Sequence, residues 1–208
     1  MPVLLDHRPL VLIQGLTDES TIGEVLKWAG TRLPEGRILV KIQLGERVLE
    51  GAALTEARGE PLGEGTLRLT SADRKELSLT MLGKLAALID WLMPQHKDVA
   101  GMLERGQTQA ALDRLKGILS AWQEIQAAYG NLVKMLELPL KELPVRELNG
   151  EAVLEEFCRQ LGEIQTALHN RDFVLLADIL QYEMDGAMAN WMALLEATLG
   201  VVEPAGVE

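Results

Sequence analysis

His169, Asp172 and Asp178 lie close together in the chain, and a histidine beside two carboxylates is raw material for a metal site. Di-iron sites inside helical bundles need more: Glu-x-x-His on two helices and glutamates from two others. No Glu-x-x-His occurs in the C-terminal part, and His7 and His96 stand near turns. No metal and no cofactor is expected. Asp178, Tyr182 and Asp185 fall at i, i+4 and i+7, and paired carboxylates can act as acid and base. This stripe lies opposite an apolar seam, so it reads as a solvated helix face.

Cys158 is the sole cysteine. A nucleophilic cysteine needs a base nearby, and no histidine lies within a turn of it, so a small buried hydrophobe is expected. Gly59, Gly63 and Gly65 surround Glu60 and Glu64. A phosphate cradle would want a lysine and a helix start, so this is an acidic turn. Trp28, Trp91, Trp122 and Trp191 read as packing residues, three of them on or beside helical seams. Methionines such as Met188 and Met192 could line an adaptable groove. No catalytic constellation emerges, and the chain is not expected to be an enzyme.

The elements that carry these residues change character near residue 73. Beyond it, four helices can be written by their seams. Met81, Leu85, Leu88 and Leu92 form the first, ended by Pro94, with a short helix expected over Lys97 to Arg105. Ala111, Leu115, Ile118, Trp122, Ile125, Tyr129, Leu132 and Leu136 form the second, which stops before Pro139. Leu154, Phe157, Leu161, Ile164 and Leu168 form the third. Phe173, Ala177, Leu180, Met184, Ala187, Trp191 and Leu194 form the fourth, stopped by Gly200. Such spacing predicts shallow crossing angles of roughly 20°. The stretch from Pro139 to Asn149 reads as an ordered loop, and the tight turn at Asn170-Arg171 makes the last two helices antiparallel neighbours.

The fourth helix has a second surface. Ile179, Tyr182, Gly186, Ala189 and Ala193 point away from its seam, flanked by Met188 and Met192. A helix apolar on more than one face is central in its fold or lies at an interface. These seven residues are the expected interaction surface.

Before residue 73 the grammar is that of strands. Val3-Leu4-Leu5 and Leu10 to Ile13 read as a hairpin around Asp6-His7-Arg8-Pro9. Its two apolar faces call for two covers, one of them the tail or a second chain. Ile22, Val25, Leu26 and Ala29 follow at helical spacing behind a capping box, Thr21 with Glu24. Ile38, Val40, Ile42 and Leu44 alternate with Lys41 and Gln43 and are expected to face that helix. Arg47 to Glu50 and Thr66 to Thr70 supply two further strands.

This order resembles the ubiquitin-like β-grasp. Ile42 to Gly51, Leu54 and Gly65 to Leu69 have the cadence of the second half of ubiquitin. The chain lacks a terminal Gly-Gly, running on into helix and ending Gly206-Val207-Glu208, so conjugation as a modifier is not implied. The expected fold is therefore α+β, an N-terminal ubiquitin-like β-grasp head over residues 1–72 followed by an antiparallel four-helix bundle over 73–200, with 201–208 a flexible tail.

The net charge of −11 sets an acidic surface that repels phosphate backbones and anionic lipid. No nucleic acid is expected as partner. Acidic residues in the fourth helix argue against a membrane span. No signal peptide is read at the start, and one cysteine fits a reducing cytoplasm. The expected function is a non-catalytic protein–protein interaction module, an adaptor or chaperone-like binder. In shape and charge the tail resembles the small helical export chaperones of bacterial flagellar and secretion systems. A homo-oligomeric structural protein, such as a homodimer, is the second reading. A small-ligand binder or enzyme with a pocket between head and bundle is the third.

Overall fold

The structure is a computed structural model, and it describes residues 3–10, 19–63 and 65–203. The chain is α+β and divides into two compact units, Met1–Leu77 and Ser78–Glu208, each with its own apolar core.

The first unit contains β1 (Val3–Leu5), β2 (Arg8–Leu10), α1 (Ile22–Gly30), β3 (Arg37–Leu44), β4 (Arg47–Val48), α2 (Gly51–Ala57) and β5 (Leu67–Asp73). The sheet order is β2-β1-β5-β3-β4, with β1 parallel to β5 and the other pairs antiparallel. This mixed sheet is compatible with a β-grasp head. The expected strand residues Val11, Leu12 and Ile13 lie outside the described residues. The capping box is present: the Glu24 N–H donates to Thr21 Oγ1 at 3.3 Å, and the Thr21 N–H to Glu24 Oε2 at 2.8 Å. Ile22, Val25, Leu26 and Ala29 bury the apolar face of α1, as their spacing predicts.

β3 departs from the expected alternation. Its register with β5 slips between Leu39 and Lys41, which leaves Val40 as the extra residue of a bulge. Val40 is 44% exposed, and Leu39 joins Ile42 and Leu44 on the core side while Ile38 turns to the other face. One added residue inverts the parity of a strand, so half of the expected inward set is corrected. The bulge places Ser71 at a polar knot. Asp6, at φ 49° in the β1–β2 turn, accepts from the Ser71 N–H at 2.7 Å and from its Oγ at 2.6 Å. Arg37 donates to Ser71 Oγ at 2.8 Å. These bonds hold the Asp6 carboxyl below its usual range. On the outward face, Leu4 is half-buried and shares a shallow depression with Lys41, Gln43, Arg68 and Thr70. The helix α2 was not anticipated; it buries Ala57.

The second unit is built from α3 (Arg74–Glu104), α4 (Thr108–Leu136), a two-residue hairpin of β6 (Pro144–Val145) and β7 (Leu148–Asn149), α5 (Gly150–Asn170), α6 (Phe173–Asp178), a π-helical turn (Ile179–Glu183) and α7 (Met184–Val202). Pro94 does not end the first helix, and no separate helix begins at Lys97. α3 keeps one seam through the proline: Leu82, Leu85, Ile89, Leu92, His96, Val99 and Leu103 are all buried. Asp90 and Pro94 are exposed, so the carbonyl that loses its donor faces water, where the loss is tolerable.

α4 buries the expected seam from Ala111 to Leu132, while Leu136 is half-buried. α5 is rotated by one position: Val153, Phe157, Gln160, Ile164 and Ala167 are buried, and Leu154, Leu161 and Leu168 sit at the margin. The loop from Pro139 is ordered, as expected, and contains the β6–β7 hairpin. Arg171 takes φ 54° and turns the chain so that α5 packs against α6, the π turn and α7. The last helix is interrupted: the Met184 N–H reaches the Ile179 carbonyl, an i→i+5 bond. It also runs past Gly200 to Val202, into the stretch read as a flexible tail.

Candidate functional site

The centre of the second unit is aromatic. Trp122 from α4 meets Phe157 from α5 at 4.4 Å and Trp191 from α7 at 5.9 Å between ring centroids. Tyr129 and Phe157 each set an edge against Trp191, at 5.5 and 5.6 Å. Edge-to-face pairs of this kind add about 0.5–1.5 kcal/mol each beyond area burial. The three helices reach one point because each carries its aromatic on its seam.

The polar groups inside this core are mostly closed off. Trp122 Nε1–H donates to His96 Nε2 at 3.1 Å, and His96 Nδ1 faces the Leu92 carbonyl at 2.9 Å. An acceptor at Nε2 and a donor at Nδ1 define a neutral imidazole. Burial lowers the His96 pKa, with the Leu92 carbonyl and Asp185 acting against it. Thr198 Oγ1–H donates to the Leu194 carbonyl at 2.8 Å, which leaves the Tyr129 hydroxyl to donate to Thr198 Oγ1 at 2.9 Å. Burial pushes the Tyr129 phenol up to about 12. Among the described residues, two buried side-chain atoms have no hydrogen-bond partner: Gln160 Oε1 and the Trp191 indole Nε1.

Beside this core a cavity of about 270 Å³ opens. α4 supplies Gln126, Tyr129, Gly130 and Val133, α5 supplies Leu154 and Cys158, and Trp191 and Leu140 complete its wall. A Cβ built on Gly130 meets nothing within 4 Å, so this glycine widens the opening. Cys158 is exposed, not buried as its neighbour Phe157 suggested. The rotation of α5 puts Val153 and Phe157 inward and turns Cys158 outward. Sequence reasoning missed the cavity; its one signal was a glycine inside an otherwise regular helix, which costs about 1 kcal/mol against alanine.

The expected interaction surface is split. Ile179 and Met188 are 1% and 0% exposed, buried in the unit's own core, and cannot meet a partner. Ile179 is buried in the π turn together with Leu180. Tyr182 is 73% exposed and Gly186 is exposed, while Ala189, Met192 and Ala193 are half-buried. Asp178 and Asp185 lie in solvent, and Asp185 pairs with Lys97 at 2.7 Å. Among the described residues no group of three His, Cys, Asp or Glu side chains could hold a metal ion.

A second apolar surface was not anticipated. On α3, Gly83, Ala87 and Trp91 recur every fourth residue on the exposed side, and Trp91 stands 55% exposed with Met93 nearby. Trp91 is thus not a packing residue. Among the described residues, α3 is the helix long and apolar enough by length and composition to cross a membrane. The same helix places its seam from Leu82 to Leu103 in the unit's core, with 28% of its most apolar window buried, so a membrane span is not clearly indicated.

Residues 80–194 match the model of a family described as a domain of unknown function (DUF8042). The match takes in most of α3, all of α4 and α5, and runs into α7, and so contains the aromatic core and the cavity. No curated protein and no solved structure matches the chain.

Proposed function

The chain belongs to the DUF8042 family, and we propose that it is a non-catalytic protein–protein interaction module, an adaptor or chaperone-like binder of a partner chain. The observation that carries this reading is Trp91, 55% exposed on a helix whose outward side also presents Gly83 and Ala87. Tryptophan is enriched among residues that dominate binding energy, and small neighbours let another backbone approach. Tyr182, Gly186, Ala189, Met192 and Ala193 extend the apolar surface on the last helix. The non-catalytic part draws support from His96, whose ring nitrogens are both engaged. We read the head as a ubiquitin-like β-grasp and the tail as an antiparallel bundle of four long helices. A protein partner suits the net charge of −11 better than nucleic acid or anionic lipid. A reducing, cytoplasmic setting suits the exposed lone Cys158.

Cross-linking and mass spectrometry in the native cell, with the wild-type chain, Trp91→Glu and Ala189→Arg as baits, test the reading. The expected result is a specific partner recovered with the wild type and lost with at least Trp91→Glu, whose melting temperature is unchanged. Recovery of the same partners by both variants would overturn it.

A further inference from the structure

We infer that the outward face of α3 is a self-association surface, on which a second copy of this chain packs antiparallel about a two-fold axis at Ala87. The inference rests on the reading of Trp91 as an interaction residue, and it names the partner that its face fits.

The face is one exposed stripe. Gly83, Lys84, Ala87, Asp90 and Trp91 are all exposed, and they recur three and four residues apart, so they share one side of the helix. Thr80 and Pro94, also exposed, extend the stripe to about 21 Å. Gly83 has no packing role inside the chain: a Cβ built on it meets nothing within 4 Å. Glycine is a poor residue for a helix interior, and here it leaves room for a side chain from outside. Among the described residues neither Lys84 nor Asp90 takes part in an ion pair. Both charges are therefore free to meet a partner.

The order of these residues about Ala87 selects a second copy. Gly83 and Trp91 stand four residues to either side of it, and Lys84 and Asp90 stand three to either side. A two-fold axis perpendicular to α3 at Ala87 brings each position level with its mirror position on the other copy. Trp91 then comes level with the second copy's glycine, where no side chain obstructs the ring. Lys84 comes level with the second copy's aspartate, and the same pairing repeats at the other end. Further out, Glu76 comes level with Asp98, which already pairs with Arg114 at 2.9 Å. A parallel pair would set lysine against lysine and aspartate against aspartate, which repel. An unrelated protein would not call for this symmetry. Lipid is a poor occupant, because Lys84 and Asp90 would enter it beside Trp91.

Analytical ultracentrifugation of the purified full chain, from roughly 1 to 500 µM, tests the pairing. One helix face is smaller than a standard interface, so a dimer with a dissociation constant in the micromolar range is expected. Ala87→Glu sets two carboxylates on the axis, at an exposed position that tolerates glutamate, and should weaken the dimer more than about tenfold; Trp91→Glu should do the same. Lys84→Asp and Asp90→Lys should each weaken it roughly threefold to tenfold. The second of these lowers the net negative charge, so repulsion between whole chains predicts the opposite sign. The double variant Lys84→Asp/Asp90→Lys should recover the wild-type constant. The inference is overturned if the chain stays monomeric throughout this range, if the dimer survives Ala87→Glu, or if the double variant fails to recover. A monomeric chain that loses a cross-linked partner on Trp91→Glu would give the face to another protein and leave the interaction reading standing. A monomer that floats with phosphatidylcholine vesicles, and ceases to with Trp91→Glu, would give it to lipid. A dimer indifferent to both Trp91→Glu and Ala87→Glu, with no other partner lost, would sink the inference and the reading together.

Discussion

At the scale of single residues, the informative groups are polar ones inside an apolar core. His96 is held neutral, so below its ordinary pKa of 6.5 the unfolded chain takes up a proton that the folded chain does not. Stability from this site is thus fully present above pH 6.5 and is lost as pH falls from there toward the lowered folded value. Melting temperatures measured from pH 8 to pH 5 should fall more steeply for the wild type than for His96→Gln. Parallel curves would show that His96 does not titrate on unfolding. Tyr129 behaves alike at the other end: its neutral form is favoured, so its contribution is present below pH 10 and is lost as pH rises toward about 12. Cys158 and Trp91 teach a different lesson. Residue type said buried, and the rotation of a helix decided otherwise.

At the scale of elements, two irregularities reset the phase of a segment. The π turn at Ile179–Glu183 holds one residue more than an α-helical turn would need, with α-helix on either side. Deleting Gln181 should convert that turn to α-helix and cost no more than about 2 kcal/mol. Deleting Glu124 from α4 should unfold the unit, because it rotates Ile125, Tyr129 and Leu132 by about 100° relative to Trp122. Chemical denaturation of the two variants checks this; equal loss in both would contradict the assignment of a π turn. Pro94 is the second test. It sits exposed within α3, so Pro94→Ala should stabilise the chain, by up to about 3 kcal/mol. A destabilised Pro94→Ala variant would mean that α3 needs the proline's local geometry. In the first unit, Thr21→Ala removes one half of the capping box and should cost about 1 kcal/mol, read from the same denaturation curves.

At the scale of the whole molecule, the chain has two cores that share no residue. Each contains enough buried apolar side chain to cooperate on its own. A fragment of residues 74–208, beginning where α3 begins, should show full helical circular dichroism and a single cooperative thermal transition. A broad transition without cooperativity would show that the helical unit depends on the head. The family match falls wholly inside this fragment.

Local chemistry alone determined the change of character near residue 73, the capping box at Thr21, the buried face of α1, and the seam of α4 from Ala111 to Leu132. Each is a short-range signal: alternation, a 3.6-residue period, or a side chain that bonds its own turn. The exposed tryptophan, the outward cysteine, the bulge at Val40, the π turn and the cavity were decided only by the tertiary structure. Their common cause is phase. A leucine next to a valine, or a tryptophan one position off a seam, satisfies either of two rotations of its helix equally well by sequence. Which rotation wins depends on what the neighbouring helices leave to be filled, and α5 shows it: Val153, Phe157 and Gln160 face inward because Trp122 and Trp191 meet Phe157 there.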